Sequence, residues 1–226
     1  MSKRVEQGQA TRRQLIDIAV RLFAEQGYEA TSIETVLAAS GVSRGALYHH
    51  FPGKRALFEA VLEAVEADIA VRIMASARDA ASPVAALRAG CMAWLRIAGD
   101  PVAQRIALID APAVVGWQRW REIDSRHGFG LLRQALAVVA VEGRVRPELV
   151  DVLAHMLLAA LLELGLVVAR SADPAQALRL GEAAVDDLLD GLLDVEPPPR
   201  IPTVARPPRA SATRRVSKRT PIQPRR

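Results

Sequence analysis

Apolar residues recur at intervals of three and four along almost the whole chain, the spacing that one face of an α-helix requires. Sustained alternation of apolar and polar residues is absent, and so are Asn-Gly and Asp-Gly turns, so strands have no support. The chain is therefore expected to be all-α, with about nine helices. In residues 11–26, Leu15, Ile18, Ala19, Leu22 and Phe23 form one face, and Gly27 follows as a helix stop. Thr31 with Glu34 three residues later reads as a capping box, so a short helix starts near 32. Ser40-Gly41-Val42 ends it, Ser43 caps a helix over 44–50, and Phe51-Pro52-Gly53 breaks that one.

A long helix starts at Lys54, with Leu57, Ala60, Val61, Ala64, Val65 and Ile69 inward. Prolines mark the starts of the rest. Pro83 opens a segment to about 98, and Pro101 one that ends near Pro112. A Trp-rich helix covers 117–140. Pro147 starts 148–169 and Pro174 starts 175–194.

Composition excludes several classes. The lone cysteine, Cys91, rules out a disulfide framework and a Cys-based zinc site. No apolar run opens the sequence as a signal peptide would, and the longest uncharged apolar run, 152–162, is short for a membrane span. A soluble cytoplasmic protein with no membrane partner is the expectation. The net charge of +5 conceals opposite parts. Residues 196–226 hold nine basic residues and one acid, while 1–60 sum to +2 and 61–195 to −5. With eight prolines and no aromatics, the basic tail is expected to be disordered. The expected organisation is an arm at 1–10, a reading domain at 11–60, a larger domain at 61–195 and the tail at 196–226.

The segment 32–51, SIETVLAASGVSRGALYHHF, has the pattern helix, tight glycine turn, helix. That is a helix-turn-helix, whose second helix enters the DNA major groove. Arg44 suits bidentate contact with guanine, and Gly45 and Ala46 are small enough for close approach to base edges. Tyr48 and His49 lie one turn further, within reach of phosphates. Lys54 and Arg55 stand in the first turn of a helix, where the dipole disfavours cations, so they suit a phosphate there. Thr31 and Ser32 offer a second such site. A plain three-helix packing unit with a solvated Lys-Arg pair is the other reading of the same residues.

Leu22-Phe23, Gly27-Tyr28, Thr31-Ser32-Ile33, Gly41-Val42-Ser43-Arg44-Gly45-Ala46-Leu47-Tyr48-His49-His50-Phe51, Lys54 and Leu57-Phe58 together resemble the N-terminal domain of the TetR family of transcriptional regulators. Leu37 departs from the pattern, where the family usually has Ala. The resemblance implies a dimeric regulator, usually a repressor, that binds a palindromic double-stranded operator. By that resemblance Thr31, Ser43, Arg44, Gly45, Tyr48, His49 and Lys54 contact DNA, and Leu47 and Phe51 are core.

Residues 61–195 are then the effector and dimer domain. Residues 149–169 are apolar nearly all round, and Leu178, Leu180, Ala184, Leu188, Leu189 and Leu192 add a second apolar surface. Both helices are expected to pair across a two-fold axis as a four-helix bundle, with Leu157, Leu161, Leu164, Leu180, Ala184 and Leu188 at the interface. All three tryptophans, Trp94, Trp117 and Trp120, fall in this domain. Trp117, Trp120 and Arg121 share a helix face, with His127 two turns on. With Met92, Leu95, Ile109 and His155 they are candidates for an apolar effector pocket, or for ordinary core. His155 and Glu163 are either ligand or partner contacts, or paired within the core.

No catalytic set and no Gly-rich phosphate loop is evident, so neither an enzyme nor a cofactor is implied. Two functions remain open: a regulator released by a small apolar molecule, and an architectural DNA-binding protein with no effector.

Overall fold

The computed structural model describes residues 3–193, and the basic tail lies outside them. The described residues are helical throughout, without strands. Helix α1 spans Lys3–Ala30, α2 Ile33–Ser40, α3 Arg44–His50, α4 Lys54–Ala77 and α5 Pro83–Ala98. A continuous coil of helix follows: α6 (Pro101–Ala103), a wide π-helical stretch (Gln104–Asp110) and α7 (Ala111–Val114). Then come α8 (Trp117–Arg126), α9 (Gly128–Val141), a 3₁₀ turn (Pro147–Leu149), α10 (Val150–Arg170) and α11 (Pro174–Leu193).

Four boundaries differ from expectation. Helix α1 begins at Lys3, so residues 3–10 are helical rather than an arm. Gly27, at φ 80°, bends the chain as expected of a stop, yet one more turn follows to Ala30. The Trp-rich segment is two helices, broken at His127 (φ −119°, ψ −98°). Its ring reaches 2.8 Å to the Glu63 carboxylate of α4. Just beyond, Gly130 lies so close to the Ser125 carbonyl that a Cβ would stand 2.9 Å from it. Pro112 does not end its segment, because it falls where the wide π-helical turn passes into α7.

Two apolar cores meet along α4 and α5, the most extensive helix pair. The first joins Leu15, Phe23, Leu47, Phe51, Leu57 and Phe58 to Ile106, Ala111, Val115 and Ile123, all buried. So the 101–110 segment packs chiefly against α1 and α4, while α8 lies against α4 and α9. The second core collects α5, α9, α10 and α11 around Leu87, Leu95, Leu136, Leu158 and Leu189. Ion pairs clamp α11 onto α5: Arg88 to Asp186 and Asp190, and Arg96 to Glu182 at 2.7 Å. Helix α4 runs without a break through residue 60 and belongs to the first core, while α5 gives Ile97 to the first and Leu87, Cys91, Met92 and Leu95 to the second.

By length and composition alone, the helix Pro147–Arg170 is apolar enough to cross a membrane, more than the run at 152–162 suggested. It is packed on one side by the second core, as core helices of similar composition are.

Candidate nucleic-acid interface and effector chamber

Helix α2 is capped by Ser32, whose Oγ accepts from the Thr35 N–H at 3.0 Å. Gly41 closes it in the left-handed region (φ 65°), its N–H donating to the Leu37 carbonyl. Ser43 caps α3 by accepting from the Ala46 N–H at 3.2 Å. Leu47 and Phe51 are buried against α1 and α4, which turns Arg44, Gly45, Tyr48 and His49 outward. Arg44 Nη2 sits 2.9 Å from Glu34 of α2, both side chains more than half exposed. The Glu34 backbone amide and Arg44 hold that carboxyl below its usual range. Gly45 has nothing within 4 Å of where a Cβ would stand, so no neighbour within the chain requires a glycine there.

One expected contact is corrected, and a second candidate has partners within the chain. Thr31 is fully buried, and its hydroxyl donates to the carbonyls of Gly27 (2.8 Å) and Leu22 (3.3 Å). It ties the bent end of α1 rather than facing solvent, and the cap of α2 falls to Ser32. Lys54 Nζ donates to the Tyr28 carbonyl (2.8 Å) and more weakly to Glu29, and lies 4.0 Å from the Tyr28 ring. Arg55 donates to the Val115 carbonyl at 2.9 Å. The cations at the head of α4 thus satisfy the orphan carbonyls of neighbouring helix ends, which answers their unfavourable place in the dipole without a phosphate.

Sequence reasoning missed the junction on the other side of α1. Asp110 Oδ2 accepts from the Tyr28 backbone N–H (2.9 Å) and from Arg105 Nε (3.2 Å). The Arg105 guanidinium lies where a Cβ on Gly27 would stand, 1.8 Å away. The only signal in the sequence is an acid two residues before a proline.

The distal body holds an apolar chamber of about 310 Å³, within the range of small-ligand sites. Its walls include Ile73 and Met74 of α4, Cys91 and Trp94 of α5, Leu132 and Ala135 of α9, and Leu158 and Leu161 of α10. Burial pushes the Cys91 thiol up to about 12, so it acts as an apolar wall. None of the seven pocket candidates lines this chamber. Met92 and Leu95 are buried beside it, in the second core. Ile109 and Trp117 are exposed, the latter 65%. Trp120 and Arg121 lie on α8, where Arg121 pairs with Asp124 at 2.9 Å. His155 is exposed, donating to the Asp151 carbonyl and stacking near Phe129. Of the three tryptophans, Trp94 is the one that faces the chamber. Four helices contribute a few small or apolar side chains each, and no local stretch of sequence marks such a set.

The interface candidates also divide. Leu157 and Leu161 are buried inside the second core and Leu164 is half-buried. Leu180 (65% exposed), Ala184 and Leu188 stand outward on α11. On α10 the outward stripe is Val152, Met156, Ala159, Glu163 and Val167, so Glu163 is exposed rather than paired within the core.

A helix-turn-helix with a free reading face, carried on an all-α body with a chamber, defines a helix-turn-helix DNA-binding protein. The tetR family of bacterial regulatory proteins matches residues 15–61, and the tetracyclin repressor-like C-terminal domain matches 84–192. A TetR-family transcriptional regulator from Pectobacterium atrosepticum is 32% identical, and its crystal structure superposes over 87% of this chain and 100% of its own with TM-score 0.72. The regulator AcrR of Shigella flexneri is 42% identical over 67 residues, 30% of this chain and 31% of AcrR. The repressor KstR2 of Rhodococcus jostii is 37% identical over 79 residues, 34% of this chain and 39% of KstR2. These curated alignments span about a third of the relatives' length. The chain belongs to the TetR family and is a DNA-binding transcriptional regulator, not an enzyme.

Proposed function

We propose that the chain is a cytoplasmic homodimeric repressor that binds a palindromic operator and is released by a small, largely apolar molecule. The observation that carries this is α4. Its head is fastened to the helix-turn-helix by Lys54, and its tail supplies Ile73, Met74 and Ala77 to the chamber. Twenty-four residues of helix span about 36 Å, so one rigid element reaches both sites. Ser32, Ser43, Arg44, Gly45, Ala46, Tyr48 and His49 are the proposed DNA face. Arg44 reads a base edge, and the hydroxyls, Tyr48 and His49 hold the backbone.

The outward stripes of α10 and α11, with Leu180, Ala184 and Leu188, are the proposed dimer surface. Two reading helices must lie about 34–36 Å apart to occupy successive major grooves. An effector that prefers one setting of α4 changes that separation and weakens both half-sites together. The 104–115 segment gives a second route, through Asp110 and Arg55 to α1 and α4.

The test is a gel-shift assay on the inverted repeat upstream of the adjacent genes, with sedimentation of the same protein. Dimeric mass, operator preference of roughly 10³-fold over random DNA, and loss of binding with an apolar ligand are expected. A monomer, or equal binding to all sequences, overturns the reading.

A further inference from the structure

A second, much smaller space of about 20 Å³ lies beside the chamber, bounded by Glu66, Asp124, Trp120 and Trp94. Trp94 forms a wall of both spaces. Its ring edge rests on the α10 backbone at Gly165, where a Cβ would stand 2.9 Å away. The niche is lined by polar groups that the fold leaves unsatisfied. Trp120 is 5% exposed, and its Nε1–H has no acceptor. Glu66 is 6% exposed, and among the described residues its carboxyl has neither a hydrogen bond nor an ion pair. Asp124 is equally buried and is held by Arg121. Buried polar groups are almost always paired, so an unpaired donor and an unpaired carboxyl facing one space mark a place for a third group.

We propose that this niche receives the hydroxyl group of the effector, an alcohol or phenol whose apolar body occupies the chamber beyond Trp94. This rests on the effector reading above and names its chemical class. The volume suits one oxygen atom. A hydroxyl both accepts and donates, so it takes the Trp120 N–H and gives its own proton to a carboxyl oxygen of Glu66. An ammonium only donates and leaves the indole unpaired. A carboxylate has no proton to give and adds a negative charge beside Asp124. With fewer than three metal-ligating side chains in any group among the described residues, the niche has no set for a metal ion.

The experiment measures binding of naphthalene, 2-naphthol and 1-naphthylmethylamine to the full-length chain by calorimetry and tryptophan fluorescence. 2-Naphthol is expected to bind at least tenfold more tightly than naphthalene, and the charged amine no better than naphthalene. Trp120→Phe and Glu66→Met should each bring 2-naphthol close to naphthalene while leaving naphthalene unchanged. Helicity and operator binding show that each variant is folded, and either one suffices. Equal binding of naphthalene and 2-naphthol, preference for the amine, or 2-naphthol binding indifferent to both variants overturns the niche and leaves the apolar chamber standing. If neither naphthalene nor 2-naphthol binds, the chamber reading falls, and the niche with it.

Discussion

Glu66→Gln isolates one buried carboxyl on the helix that joins the two ends of the molecule. Burial raises its pKa from 4.5 to about 8, and the neighbouring carboxyls Asp124 and Glu63 add to the shift. Arg121, Arg126 and His127 are the basic groups facing this cluster, and each is matched to Asp124 or Glu63 rather than to Glu66. An acid whose folded pKa is raised binds its proton more tightly in the native state. Its contribution is therefore whole below pH 4.5 and is lost as pH rises towards 8. Each pH unit inside that window is worth up to about 1.4 kcal/mol. From pH 5 to pH 7 the native protein should lose roughly 2–3 kcal/mol that the glutamine variant keeps.

Glu63 is shifted the other way, so its stabilisation is lost only as pH falls through the acid range, outside this comparison. Urea unfolding followed by tryptophan fluorescence, at fixed protein concentration, measures the difference. The midpoint gap between variant and native protein should widen by about 1 M across those two pH units. A gap independent of pH between 5 and 8 would refute the burial argument.

Other outcomes follow from single residues. Thr31→Val should lower stability by about 1 kcal/mol by leaving the Gly27 and Leu22 carbonyls without their donor, with operator preference unchanged in gel shifts. Arg44→Ala should cost about 1–3 kcal/mol of operator binding and relax preference at one base position, measured by competition with operator variants. Gly27→Ala should destabilise by at least about 1–3 kcal/mol, since it combines a positive φ with displacement of Arg105, and thermal melting shows it. Deleting 196–226 removes a net +8 and should weaken binding to random DNA and flatten its salt dependence, while operator preference persists.

The reading helix was legible because it is local. Ser43, Gly41 and Leu47 each answer a requirement set within a few residues: a cap, a left-handed turn and an inward apolar position. Helix starts at Pro83, Pro101 and Pro174 were legible for the same reason. Thr31 was misread because two hydroxyls stand side by side, and only packing decides which caps α2 and which turns inward. The partners of Lys54 were not legible because they are carbonyls 25 and 26 residues away.

Glu66 follows Leu62 by four and precedes Ile69 by three, so its place on the inward stripe of α4 was visible, but not that it would meet Asp124 and Trp120 there. The sequence alone determined an all-α chain, its reading helix and its family resemblance, because periodicity, caps and turn glycines act over one or two turns. The chamber, the Asp110 junction, the niche and the outward faces of α10 and α11 were decided by tertiary structure. Each is assembled from residues tens of positions apart, and burial on one side of a uniformly apolar helix depends on what packs against it.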